Sequence, residues 1–90
     1  MMTKANYSFD MLWTLRYLED LEKFLNNSQL FMAKATIQRV KETLETYGRQ
    51  GFESNFEKIR MIEYALENNQ DPRDLITSLK EDINKRMKLI

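Results

Sequence analysis

The sequence predicts an all-α fold, a compact bundle of four short helices in a single domain spanning residues 1–90. Three observations predict it. Apolar residues recur at helical spacing over four separate stretches. Breaks rich in Asn, Ser and Gly, or carrying Asp-Pro, fall between those stretches. No stretch shows strand alternation bounded by turn residues. The alternative is a three-helix bundle with a long, kinked first helix.

The first helix is expected over Phe9–Leu25 or Asn26, after a mobile lead-in over residues 1–7. Ser8 is the expected N-cap, with Asp10 just behind it. The stretch has no Gly or Pro, and its Leu and Met favour helix. On a wheel at ~100° per residue its apolar residues fill an arc of roughly 240°. One edge is aromatic: Phe9, Trp13, Tyr17 and Phe24. The other is aliphatic: Met11, Leu15, Leu18, Leu21 and Leu25. A surface helix of a small bundle needs a stripe of only ~100°. This helix therefore has two faces to cover.

Asn26-Asn27-Ser28 is a predicted break, because Asn and Ser favour caps and turns. The phase of the pattern agrees. The seam Leu18, Leu21 and Leu25 would continue at Ser28 and Met32. The next seam is instead Leu30, Ala33, Ile37, Val40, Leu44 and Tyr47, about two residues out of register. The second helix is thus expected over Ser28–Tyr47 with Ser28 as N-cap. Phe31, Met32 and Ala35 lie off its stripe. Gly48 is the expected left-handed residue after the helix.

A third helix is expected over Phe52–Asn68, with Phe52, Phe56, Ile59, Ile62 and Leu66 inward and Met61 and Tyr64 off the stripe. Asp71-Pro72 is the sharpest local signal: a cap residue, then proline at the first helical position, then Asp74 in the first turn. The fourth helix is expected to run from Pro72 nearly to the end. Its inward positions are Leu75, Ile76, Leu79, Ile83, Met87 and Ile90.

Composition narrows the function. The chain has 14 basic and 14 acidic residues, no Cys and no His. Cys absence removes disulfides, thiolate metal sites and a thiol nucleophile. His absence removes the commonest general base and transition-metal ligand. Balanced charge argues against nucleic acid or an anionic membrane held mainly by charge. No signal-peptide core or membrane-length apolar run occurs, so the cytoplasm is the expected location.

Each motif has a bland reading. Glu19/Glu22, Glu42/Glu45, Glu53/Glu57 and Glu63/Glu67 are helical carboxylate pairs of the kind that hold Mg²⁺ in helical enzymes. Each has Lys or Arg nearby and most lie on solvent-facing arcs, so a charge-balanced surface is expected, with no metal and no cofactor. Gly48-Arg49-Gln50-Gly51 lacks the Lys-Ser/Thr ending of a phosphate loop and reads as a connector. Arg49 remains a candidate contact because its loop is exposed. Residues 62–85 have the size of a helix-turn-helix, but the turn is long and polar, and the would-be recognition helix sets Arg73 and Lys80 against Asp71, Asp74, Glu81 and Asp82. The basic run Lys85-Arg86-Met87-Lys88 suits a helix C-terminus or an acidic partner.

The expected function is a small non-catalytic interaction module: a regulator, inhibitor, adaptor or assembly factor. A DNA-binding regulator and an acidic-metal helical enzyme are the alternatives. The expected partner is another protein or a second copy of the chain, with a homodimer favoured. The candidate interface is Phe9, Trp13, Tyr17, Phe24, Phe31, Met32 and Arg49, since Trp, Tyr and Arg are enriched in binding hot spots and Met in adaptable surfaces.

Overall fold

A computed structural model describes residues 4–88 and places four helices in them: α1 (Lys4–Asn26), α2 (Leu30–Glu45), α3 (Glu53–Glu67) and α4 (Arg73–Lys88). No strand occurs among the described residues. The fold is an all-α four-helix bundle. α1 and α2 are separate helices, which sets aside the three-helix alternative.

Each helix packs on two neighbours. α1 lies against α2 and α4, and α3 lies against the same two, with no close approach across either diagonal. Short connections make consecutive helices antiparallel. Cross-links fix that arrangement. Tyr47, just beyond α2, contacts Tyr7 near the start of α1. Arg73, at the start of α4, donates to Asn26 Oδ1 at 2.8 Å, at the end of α1. The bundle measures 38 × 21 × 19 Å. No helix among the described residues is long and apolar enough to cross a membrane.

The predicted stripes form the core, except that Leu30, expected inward, is exposed because it opens α2 at the end of the bundle. Met11, Leu18 and Leu21 meet Ala33, Ile37, Val40 and Leu44 from α2, the stripe Phe52–Leu66 from α3, and Ile76, Leu79 and Ile83 from α4. Leu15, Leu25, Leu75 and Met87 are half-buried at its margin. Each large buried side chain contributes about 1.5–3 kcal/mol. An exposed ion pair contributes about 0–1 kcal/mol. The core therefore sets the fold, and the ion pairs trim it.

The helix ends differ most from expectation at the start of α1 and at the α1–α2 junction. α1 extends back to Lys4, so residues 4–7, expected within a lead-in, are helical and Ser8 lies inside the helix rather than at its cap. Tertiary contact carries the helix this far: the Tyr7 ring meets Tyr47 edge-on at 5.3 Å, and packing outweighs local capping preference. Residues 1–3 and Ile90 lie outside the described residues. Ser28 is not the N-cap of α2. It adopts φ +57° and closes α1 instead. The Gln29 N–H donates to Phe24 O at 2.8 Å and the Ser28 N–H to Leu25 O at 3.2 Å, the paired bonds of a Schellman ending. Gln29 caps α2 with no side-chain bond.

The other ends agree better. Gly48 has φ +77° and its N–H bonds Glu45 O at 3.0 Å. The Asp71 carboxylate accepts the Arg73 N–H at 3.0 Å. The helix itself begins at Arg73, one residue later than expected, with Pro72 O taking the Ile76 N–H at 3.0 Å.

Three polar residues are buried within the apolar stripes: Thr14, Thr36 and Asn55. The threonine hydroxyls donate back one turn, to Asp10 O at 2.8 Å and Met32 O at 2.7 Å. No buried side-chain nitrogen or oxygen among the described residues lacks a partner.

Candidate interaction surface

The wide apolar arc of α1 divides in two. Met11, Thr14, Leu18 and Leu21 face inward and are fully buried. Residues at positions 9, 12, 13 and 16 follow the i, i+3, i+4, i+7 spacing of one helical face, and this face points to solvent. Phe9 is 59% exposed, Leu12 50% and Trp13 44%. Together with Arg16 they line a shallow cleft on the outside of the bundle.

The rings on this face are ordered among themselves. Phe9 and Trp13 meet edge-on with centroids 6.1 Å apart. At its margin Trp13 also meets the half-buried Tyr17, with centroids 5.9 Å apart and tilted by 37°. Such pairs hold their rotamers through offset or edge contacts. Arg16 belongs to none of the ion pairs among the described residues. The face is thus an ordered apolar ridge with one uncommitted guanidinium at its rim.

The remaining candidate residues are not part of this ridge. Tyr17 and Phe24 are half-buried and pack against the core, because they lie on the side of α1 turned toward α2. Phe31 is 82% exposed but follows the α1–α2 turn, about 25 Å along the axis from Phe9. Met32 is exposed beside it. Arg49 is engaged within the chain: its guanidinium lies 4.3 Å from the Phe56 ring centre and 3.4 Å from Glu45. Leu12 was not expected at the site. The breadth of the apolar arc was the signal, but an arc of that width does not say which part faces inward.

A second apolar area lies between α3 and α4. Met61, Tyr64 and Leu75 line a groove there, interrupted by Arg60, Gln70 and Asp71.

The opposite end of the molecule from the α1–α2 turn holds a polar and aromatic clamp. Asn55 is buried between α3 and α4. It accepts from Arg86 at 2.8 Å and donates to Asp82 at 3.2 Å. Lys58 completes the network through Asp82 at 2.5 Å. Arg86 also donates to Gly51 O and lies 3.8 Å from the Phe52 ring centre. Tyr47 stacks on Phe52 at 6.4 Å and donates its hydroxyl to Asp10. Burial, then the bond to Asp10, pushes the Tyr47 hydroxyl well above its usual value of 10.0. Arg86, in the basic run of α4, is therefore committed to holding the α2–α3 loop. Lys85 and Lys88 are exposed.

Six members of the four predicted carboxylate pairs are tied to cations or backbone, Glu45 through Arg49 among them. Glu22 pairs with Lys80, Glu57 with Arg60, Glu63 with Lys41 and Glu67 with Lys34. Glu53 accepts the Gly51 N–H at 2.9 and 3.1 Å. Its own backbone N–H and that of Gly51 hold its carboxyl below the ordinary value. Among the described residues no three acidic side chains converge on a point that could hold a metal ion.

No family model, curated protein or solved structure matches the chain.

Proposed function

We propose that this protein is a non-catalytic interaction module, a regulator, inhibitor, adaptor or assembly factor, that works through the outer face of α1. The observation that carries the reading is the ridge of Phe9, Leu12 and Trp13, about half exposed at each position, with Arg16 at its edge. Contiguous exposed apolar residues rimmed by polar ones mark binding surfaces. Trp and Arg together are the residue types most enriched where truncation costs binding. The ordered rings also lower the entropy lost on docking. A helix-turn-helix reading of α3 and α4 has less support, because Arg73 and Lys80 are committed to Asp71 and Glu22.

Site-specific photo-crosslinking tests the reading. A photoreactive residue at Trp13, in extract of the native host, is expected to capture a protein partner, and the same residue at exposed Gln38 is not. Equal or absent capture at the two positions overturns it. With a partner in hand, Trp13→Ala is expected to weaken binding by roughly 2 kcal/mol or about 30-fold.

A further inference from the structure

We infer that the occupant of the α1 outer face is a second copy of this chain, packed antiparallel about a two-fold axis that passes between Leu12 and Trp13. The inference rests on the reading above and names its partner. A two-fold contact uses the same patch on both copies, so the patch must complement itself. In this register Leu12 lies against the partner's Trp13, and Trp13 against the partner's Leu12. Phe9 lies against the partner's Arg16, and Arg16 against the partner's Phe9. A parallel pairing fails the same test, because it sets Arg16 against the partner's Arg16.

The Arg-on-Phe contact is one this chain already makes twice. Arg49 sits 4.3 Å from the Phe56 ring centre and Arg86 sits 3.8 Å from that of Phe52. Arg16 makes no ion pair among the described residues that would hold it back. The formal net charge of zero imposes no long-range repulsion between copies.

Area sets the strength. An aromatic side chain offers about 150–250 Å². With about half of each uncovered, Phe9, Leu12 and Trp13 bring roughly 300 Å² per copy. Adding the rim, the pair reaches roughly 1,000 Å² in total, the low end for specific contacts. The dimer is therefore weak and reversible, with a dissociation constant on the order of 100 µM.

Sedimentation velocity of the full chain, from about 5 µM to about 1 mM, tests this. The wild type is expected to shift from monomer to dimer across the range. Phe9 is exposed, so its variants keep the fold, which circular dichroism checks. Phe9→Arg sets like charges together at both ends of the contact and is expected to remain monomeric throughout. Phe9→Glu sets a carboxylate against the partner's Arg16 and is expected to dimerise, less so in high salt. A wild type that stays monomeric, or equal loss in both variants, overturns the antiparallel dimer. With the wild type monomeric, capture of a different protein at Trp13 leaves the interaction surface standing, whereas silent crosslinking overturns that surface as well.

Discussion

Asn55 sits in a stripe of α3 that is otherwise Phe52, Phe56, Ile59, Ile62 and Leu66, and it is almost wholly buried. It survives there because both ends of its amide are used, by Arg86 and by Asp82. Asn55→Ala leaves those two groups short of a buried partner and is expected to cost about 1–3 kcal/mol in denaturant unfolding. Amide exchange in the loop at 46–52 should quicken as well, since Arg86 loses one of its anchors. Asp71 works differently, as a charge on a helix start. The Arg73 N–H, ahead of the Arg73 side chain, holds its carboxyl below the ordinary 3.8. A depressed carboxyl contributes stability above its unfolded pKa, and that contribution is lost as pH falls through the lower folded value. Asp71→Asn keeps an acceptor and removes the charge. It is expected to melt below the wild type at pH 5–7, and the gap should close as pH falls below about 3.8. A gap unchanged at pH 2 would mean that the charge contributes nothing.

The helices themselves were legible where one narrow stripe dictates one buried face. All five stripe residues expected for α3 are buried, as are Ile76, Leu79 and Ile83 of α4. α1 was legible as a helix but not in orientation, because an apolar arc of roughly 240° admits many inward directions. Core packing chose Met11, Leu18 and Leu21, which left Phe9, Leu12 and Trp13 outside. Thr14, Thr36 and Asn55 were not legible as core residues. Their hydrogen bonds depend on a turn of helix or on a neighbouring helix that only the fold supplies. Ser28 was misread for a related reason. A serine at a helix junction suggests an N-cap, yet the two-residue shift between the α1 and α2 stripes demands a sharp turn, and a left-handed residue makes one. Ser at φ +57° carries a backbone strain of roughly 1–2 kcal/mol that Gly avoids. Gly gives back about 0.4–1 kcal/mol through its freer unfolded chain. Ser28→Gly is thus expected to stabilise by a few tenths to about 1 kcal/mol, and Ser28→Val to destabilise, in urea titrations. The reverse order would show that Ser28 does not hold the turn.

At the scale of the whole molecule, charge is balanced and histidine is absent, with 14 cations against 14 carboxylates. No side chain type present has an ordinary pKa between about 5 and 8. Stability should therefore be flat across that window, bounded on each side by a different set of groups. On the acid side the lowered carboxyls of Glu53 and Asp71 lose their contribution as they protonate, and the cations lose their partners. The net charge climbs toward +14 as the carboxylates neutralise, and self-repulsion adds to the loss. The alkaline limit involves Tyr47. Its hydroxyl is raised by burial, by its bond to Asp10 and by the nearby charge of Asp10 and Tyr7. A raised pKa contributes stability below the unfolded value of 10.0, which is lost as pH rises from there toward the folded value. Lysines also begin to titrate near 10.4, so the wild-type curve alone does not isolate the tyrosine. Tyr47→Phe does, because it keeps the ring against Tyr7 and Phe52 and removes the ionising oxygen. The variant is expected to melt below the wild type throughout pH 5–9, by about 0.5–1.5 kcal/mol for the lost bond. Above pH 10 its curve should fall less steeply, so the two converge. Thermal melts from pH 2 to pH 11 read both limits at once. A step in the wild type between pH 6 and 8, or parallel alkaline limbs in the two proteins, would contradict this assignment of the charged groups.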